Sequence, residues 1–317
     1  MNNKKCAIIG CGNVGATTAY SLMLSELFTD IVLIDIDKKR AQGEADDISH
    51  GVPFNSPVSV YAGEYKDISD CGIVIITAGV SQKPGETRID LVQRNTKVFT
   101  EIINNINSIG FDGIILVVTN PVDVLTKVTI SLSDLNPSKI LGSGTVLDTA
   151  RLKQAMGDEL KVDPRNIHTF VIGEHGDSEL PVWSSANVSG IDISSYCNEV
   201  AKEYSAIRFE EIFEAIRDAA YGIIEAKGAT YYAIAESVKR IVRAIVRDEH
   251  AILPVSALLT GQYGINDICL GVPCVIGSNG IEEILEIPLS KSEHDDLMRS
   301  ASILHSTVRN LGIELTV

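Results

Sequence analysis

The chain has 317 residues, 45% of them hydrophobic, with 27 Lys+Arg against 42 Asp+Glu and a formal net charge of −15. So large an acidic surplus repels phosphate backbones and anionic lipid heads, which argues against nucleic acid and membrane surfaces as partners. The length allows two domains, because single cores rarely grow far past about 250 residues.

The N-terminus, MNNKKCAIIGCG, turns apolar within six residues but meets glycine too early for a signal h-region. No uncharged apolar run reaches the roughly 18 residues of a membrane span, so the expectation is a cytoplasmic protein. Over the first 150 residues, short apolar runs alternate with helical stretches: Lys5 to Ile9, Ile31 to Ile34, Ile73 to Thr77, Ile114 to Thr119 and Lys139 to Leu141 read as strands. Uninterrupted Val/Ile/Leu strands belong inside a parallel sheet covered on both faces. The predicted class is therefore α/β, with an N-terminal doubly wound parallel sheet.

From about Val146 strand signals thin out, while Ser205 to Val246 carries helical spacing such as Tyr232, Ala235, Val238, Ile241 and Ile245. A last amphipathic helix is predicted from Ser292 to Asn310. This half reads as a C-terminal α+β domain, giving a division into residues 1–143 and 144–317. The charged stretch from Glu199 to Arg217 reads as a solvated helix face with i,i+4 pairs. Six cysteines (Cys6, Cys11, Cys71, Cys197, Cys269, Cys274) lack CxxC spacing, so reduced thiols are expected, without a disulfide frame or metal site. Cys11, in a glycine loop, reads either as a small spacer or as a thiol acidified by a helix N-terminus.

After the first strand stands Gly10-Cys11-Gly12-Asn13-Val14-Gly15, a GxGxxG opening a helical run, and the next strand leads to Asp35, twenty residues past Gly15. That context is a Rossmann dinucleotide fingerprint. Gly10 allows the tight turn, Gly12 lets backbone N–H groups reach a pyrophosphate, and Gly15 brings helix and strand together. Asp35 suits a ribose diol and repels a 2′-phosphate, which favours NAD over NADP, with Lys38 and Lys39 as the opposing signal. Thr77, Ala78 and Gly79, then Asn120 before Pro121, close two further strands where ligands of open α/β sheets lie. Asn120 equally fits a helix N-cap.

Three segments carry ionisable groups: QKPGETR (residues 82–88), LDTAR (147–151) and GEHGDS (173–178). Taken singly, Arg88 and Arg151 read as surface cations, Asp148 as a helix cap and His175 as a turn residue. Together with GCGNVG, TNPVD and KGATYYAIA, these motifs resemble, in order and spacing along essentially the whole chain, the bacterial L-lactate branch of the L-lactate/L-malate dehydrogenase family.

The resemblance implies reversible hydride transfer between NADH and pyruvate, giving L-lactate in glycolytic fermentation. His175 is then the proton donor and acceptor, Asp148 its orienting partner, and Arg151 the fork that clamps the substrate carboxylate. Arg88, on a closing lid, stabilises charge developing on the carbonyl oxygen, to which Asn120 adds a hydrogen bond, while Thr230 lines the pocket wall. Gln82 faces the substrate substituent; it is neutral, which favours pyruvate over oxaloacetate, with Lys83 beside it as the objection. Family members are often tetramers activated by fructose 1,6-bisphosphate. The matching positions are Lys153, where arginine is usual, and His168. The rival readings are a malate dehydrogenase and a dinucleotide-binding sensor, which would not require His175, Asp148, Arg151 and Arg88 together.

Overall fold

The computed structural model describes residues 2–80, 88–201 and 209–310. The first half runs β1 (Asn2–Ile9), α1 (Asn13–Met23), β2 (Asp30–Ile34), α2 (Lys38–His50), β3 (Ser59–Ala62), β4 (Cys71–Ile76), α3 (Arg88–Ser108), β5 (Ile114–Val117), α4 (Val122–Leu132) and β6 (Ile140–Gly142). Every residue of β4 and β5 is buried, as uninterrupted aliphatic strands require when helices cover both faces of a sheet. Asp37 starts α2 by accepting hydrogen bonds from the Lys39 and Arg40 backbone N–H groups.

The six strands pair in parallel in the order β6-β5-β4-β1-β2-β3. Strand order reverses between β1 and β4, so a crevice opens at their carboxyl ends, where open α/β sheets bind ligands. The short edge strand β3 escapes a reading that looks for aliphatic runs, since SVYA carries only one buried residue.

The second half contains α5 (Val146–Leu160), β7 (Ile167–His168), β8 (Val171–Ile172), β9 (Leu180–Pro181), β10 (Asn187–Val188), β11 (Ile191–Asp192) and a single turn α6 (Ile193–Ser195). It continues with α7 (Phe209–Lys227), α8 (Tyr232–Val246), β12 (Ala251–Thr260), β13 (Asn266–Gly277), β14 (Gly280–Ile284) and α9 (Lys291–Asn310). Here the expectation of sparse strands needs correction. At 10 and 12 residues, β12 and β13 are the longest strands described. They pair antiparallel and join the same sheet through Ser256 opposite Gly142, making nine strands in all. Their signal is hidden because Pro254 faces Pro273 across the pair, and proline is depleted from strands.

The main core accordingly runs from Cys6 and Ile31 through Leu116 to Val255, Leu270 and Leu304, spanning both halves of the chain. A smaller core under α5 and α7 joins Leu152, Met156, Val171 and Phe213. Of the charged stretch, residues 202–208 lie outside the described residues; before them a π-helical turn, Tyr196–Val200, is capped by Ala201, and after them runs α7. Glu210, Glu211 and Glu214 are exposed on α7, while Phe213 and Ile216 are buried beneath them. No helix among the described residues is long and apolar enough to cross a membrane.

Candidate active site

The glycine loop sits at the β1/β4 crevice. Gly10 has φ +102°, and a Cβ there would stand 2.4 Å from the Ala78 backbone nitrogen. At Gly15 a Cβ would lie 1.9 Å from the Gly10 carbonyl oxygen, so the helix and the loop approach as closely as backbone allows. Gly12 differs: it caps α1 without a side-chain hydrogen bond, and a Cβ there meets nothing within 4 Å. The first N–H groups of α1, on Asn13, Val14 and Gly15, thus border open space at the positive end of a helix dipole, a cradle that fits a pyrophosphate.

Thr77 Oγ1 donates to the Gly10 carbonyl at 2.6 Å, tying β4 to this loop. Asp35 Oδ2 accepts from the Cys11 N–H at 2.6 Å and Oδ1 from the Asp37 N–H at 2.9 Å. The carboxylate is thereby fixed beside the cradle, with lone pairs remaining for a diol. Lys38 is paired with Glu64 at 2.7 Å, which weakens its claim on a 2′-phosphate. The acidified-thiol reading of Cys11 fails: the side chain is buried, its Sγ donates to the Ile34 carbonyl at 3.6 Å, and burial pushes the thiol up to about 12. All six cysteines are free and buried.

Gly79 packs where a Cβ would meet Thr119 Cγ2 at 2.5 Å. Asn95 of α3 accepts from the Val80 N–H at 2.8 Å and donates to the Asn120 carbonyl at 3.3 Å, linking the ends of β4 and β5. Pro121, not Asn120, occupies the N-cap of α4, so the capping alternative for Asn120 is set aside. Asn120 lines a cleft of about 250 Å³ with Asp148, Arg151, His175, Glu179 and Arg217.

His175 lies on the loop between β8 and β9, and four elements hold that loop. Its backbone N–H donates to Asp123 Oδ2 of α4 at 2.8 Å, and Ser256 of β12 donates to Asp123 Oδ1 at 2.5 Å. Ser300 of α9 accepts from the Glu174 N–H at 2.8 Å. The ring itself meets Asp148 of α5, with Nδ1 2.7 Å from Oδ2. Asp148 Oδ1 accepts from Arg151, one helical turn on, at 2.9 Å.

These contacts set the charges. Burial works against a charged ring at His175, but Asp148 outweighs it, with Glu179 and Asp123 adding, so the imidazole is pushed up to about 9. About a quarter of the side chain, 24%, still opens to the cleft, which keeps the ring within reach of a ligand. For Asp148 burial is overcome by His175 and Arg151, and the carboxyl is held below its usual range. Burial, then Asp148, pushes the Glu179 carboxyl up to about 8. Asp123, wholly buried, rises to about 6 despite its hydrogen bonds from Ser256 and the His175 backbone.

The cleft therefore gathers His175, Asp148, Arg151 and Asn120. Thr230 lies half-buried just before α8 and is not among the residues lining it. Arg88 begins α3, whose Leu91 and Val92 do line the cleft; its side chain and Gln82 lie outside the described residues, as does Lys83. Lys153 is half-buried on α5, and His168 is exposed on β7. Asp123, Ser256, Asn95 and Glu179 were not singled out from the sequence. Asp123 falls inside the TNPVD motif, yet its partner Ser256 is 133 residues away.

Comparison with known proteins agrees with this geometry. The family model described as lactate/malate dehydrogenase, NAD binding domain, matches residues 4–142, and that described as lactate/malate dehydrogenase, alpha/beta C-terminal domain, matches residues 145–312. An L-lactate dehydrogenase of Acetivibrio thermocellus is 54% identical over 317 residues, covering 99% of this chain and all of the relative. One from a Thermoanaerobacter species is 55% identical over 309 residues, 98% of this chain and 99% of its own. Among solved structures, the ligands-bound minor L-lactate dehydrogenase from Enterococcus mundtii superposes with a TM-score of 0.95 at 39% identity, over 99% of this chain and 100% of that one. A lactate dehydrogenase from a Medee basin deep-sea metagenome gives 0.96 at 43% identity, over 98% and 100%. The chain belongs to the lactate/malate dehydrogenase family.

Proposed function

We propose that the chain interconverts pyruvate and L-lactate with NADH and NAD in the cytoplasm, with its two domains meeting at residues 143 and 144, between β6 and α5. The observation that carries this reading is the shared carboxylate of Asp148, with His175 on one oxygen and Arg151 on the other, inside a cleft at the carboxyl edge of the sheet. A nicotinamide held in the crevice would supply or accept the hydride.

The protein's own groups do the rest. Asp148 engages His175 Nδ1, which leaves Nε2 to hold the proton given to the carbonyl oxygen in pyruvate reduction and recovered from the alcohol in reverse. Arg151 presents a planar fork to the substrate carboxylate, Asn120 donates to the carbonyl oxygen, and Arg88 brings charge to that oxygen as the site closes. Gly10, Gly12, Gly15, Asp35 and the residues from Thr77 to Gly79 would hold NAD across the crevice. Gln82 gives a second substrate carboxylate no counter-charge, so pyruvate is preferred over oxaloacetate.

Assembly and control follow the same reasoning. We assign a homo-oligomer, a tetramer as in the family resembled; Tyr20 of α1 and Leu24, its C-cap, about half exposed, give it an apolar patch to cover. A fructose 1,6-bisphosphate site at Lys153 and His168 rests on one match and one lysine that lacks the guanidinium fork. Loss of NADH absorbance with pyruvate, compared with oxaloacetate, with NADPH, and with or without the sugar bisphosphate, tests all of these. No oxidation of NADH by pyruvate refutes the reading, and faster turnover with oxaloacetate makes the protein a malate enzyme.

A further inference from the structure

One buried acid in the cleft has no part in the chemistry above. Glu179, three residues beyond Gly176 on the His175 loop, is 8% exposed. Its Oε2 lies 4.0 Å from His175 Nδ1, the same nitrogen that Asp148 engages. Carboxyl oxygens of Asp148 and Glu179 and the His175 Nδ1 all fall within 4.8 Å of one another. Two carboxyls so close and so deeply placed do not both ionise freely, because each raises the cost of charge on the other.

Among the described residues, the cations acting on Glu179, His175 and Arg151, are both shared with Asp148. Arg151 of α5 is engaged with Asp148 Oδ1. Asp123 of α4 faces the backbone of His175, not Glu179. From its own loop the Gly176 N–H reaches the carboxyl, while Glu174 and Asp177 add negative charge along the cleft and Arg217 of α7 adds one positive group to the wall.

We propose that Glu179, buried 4.0 Å from His175 Nδ1 and beside Asp148, is a second positioning partner of His175, whose carboxylate, when charged, helps the imidazole retain the proton that pyruvate reduction consumes. This rests on the pyruvate reading above. Burial and the neighbouring Asp148 raise the Glu179 carboxyl, while Asp148 and Glu179 together raise the His175 imidazole, so each group bears on the proton of the other. Ionisation of Glu179 adds its charge to those of Asp148 and Asp123, which already favour the charged ring.

The test is the pH profile of kcat/KM for pyruvate, from pH 6 to 10, in the NADH-loaded enzyme and in Glu179→Gln, whose amide is neutral throughout. The ratio of variant to wild type is expected to fall about threefold to tenfold between pH 7 and 9.5, as the alkaline limb moves down by up to about one unit. Glu179→Asp, with a carboxyl restored, should recover most of that limb. A ratio flat across the range overturns the proposal, because a purely structural role lowers the rate equally at every pH. An infrared titration of the wild type needs no variant: a buried carboxylic acid band should vanish with a midpoint near 8, apart from that of Asp123 near 6, and its absence also overturns the proposal. Wild-type protein that leaves pyruvate unreduced would sink the functional reading, and the infrared result would still decide the state of Glu179.

Discussion

Asp148 Oδ2 lies 2.7 Å from His175 Nδ1, and this contact, more than the position of either residue alone, decides the charge of the ring. Burial lowers the proton affinity of His175, and the neighbouring carboxylate reverses the effect to leave it at about 9. Asp148→Asn keeps the shape but removes the charge. We expect kcat for pyruvate reduction to fall on the order of 10²- to 10³-fold and the alkaline limb of the rate profile to move down by one to two units, roughly. The stability linkage has a definite sign. A folded-state value above the unfolded value of about 6.5 means that the pair stabilises fully below pH 6.5 and loses this contribution as pH rises through 9. Melting temperatures across that window should therefore decline more steeply for wild type than for Asp148→Asn, and parallel curves would count against the linkage.

The glycine loop makes two opposite predictions three residues apart. At Gly15 a methyl group collides with the Gly10 carbonyl oxygen, a backbone atom that cannot yield. Gly15→Ala should lower the melting temperature and NADH affinity together. At Gly12 the methyl meets nothing in the protein and points into the cradle, at a φ of −72° that alanine adopts readily. Gly12→Ala should melt within a degree or two of wild type while binding NADH at least about tenfold more weakly. Fluorescence titration with NADH beside a thermal melt separates the two, and unchanged affinity in Gly12→Ala would move the pyrophosphate elsewhere.

Asp123 joins elements that are distant in sequence, since it accepts from the His175 N–H of the β8–β9 loop and from Ser256 of β12. Asp123→Ala leaves two buried donors without partners, at a cost of about 2 to 5 kcal/mol in chemical denaturation. Its pH dependence runs opposite to that of a salt-bridged acid. The folded carboxyl titrates near 6, above its usual range, so the unfolded chain gives up its proton first and stability falls as pH rises toward 6. Asp123→Asn should abolish that fall. A variant as pH-sensitive as wild type between pH 4 and 6 would contradict the assignment.

How far all this was legible depended on whether the signal was local. The strands from β1 to β6 and the fingerprint from Gly10 to Asp35 are written within a few dozen residues, in aliphatic runs and glycines whose conformations admit little else. His175 and Arg151 stood out because of the motifs around them. Asp123 and Glu179 did not, although both lie in or beside those motifs. An acid in the first turn of α4 reads as a dipole partner, and only the fold reveals that it is 2% exposed against a loop 52 residues away. Thr230, half-buried just before α8, carries no local signal of its own, and only the resemblance singles it out. The β12–β13 pair was hidden by its facing prolines, a compensation visible only when both strands are in register.

Arg151 offers the sharpest separation of binding from chemistry. Its Nη1 is 2.9 Å from Asp148 Oδ1, so the guanidinium is oriented from behind, with part of the side chain open to the cleft. A fork held in this way meets a carboxylate with two parallel hydrogen bonds. Lysine brings the same charge on a single nitrogen, which must serve either Asp148 or the substrate. Arg151→Lys should therefore lose about 2 to 3 kcal/mol in kcat/KM for pyruvate, roughly 30- to 150-fold, carried chiefly by KM. The Asp148–His175 contact does not depend on the fork, so the alkaline limb of the rate profile should stay within about half a unit of wild type. Initial rates over a pyruvate series at several pH values give both quantities at once. If kcat and the alkaline limb shifted while KM held, Arg151 would act through Asp148 on the imidazole and not on the substrate carboxylate.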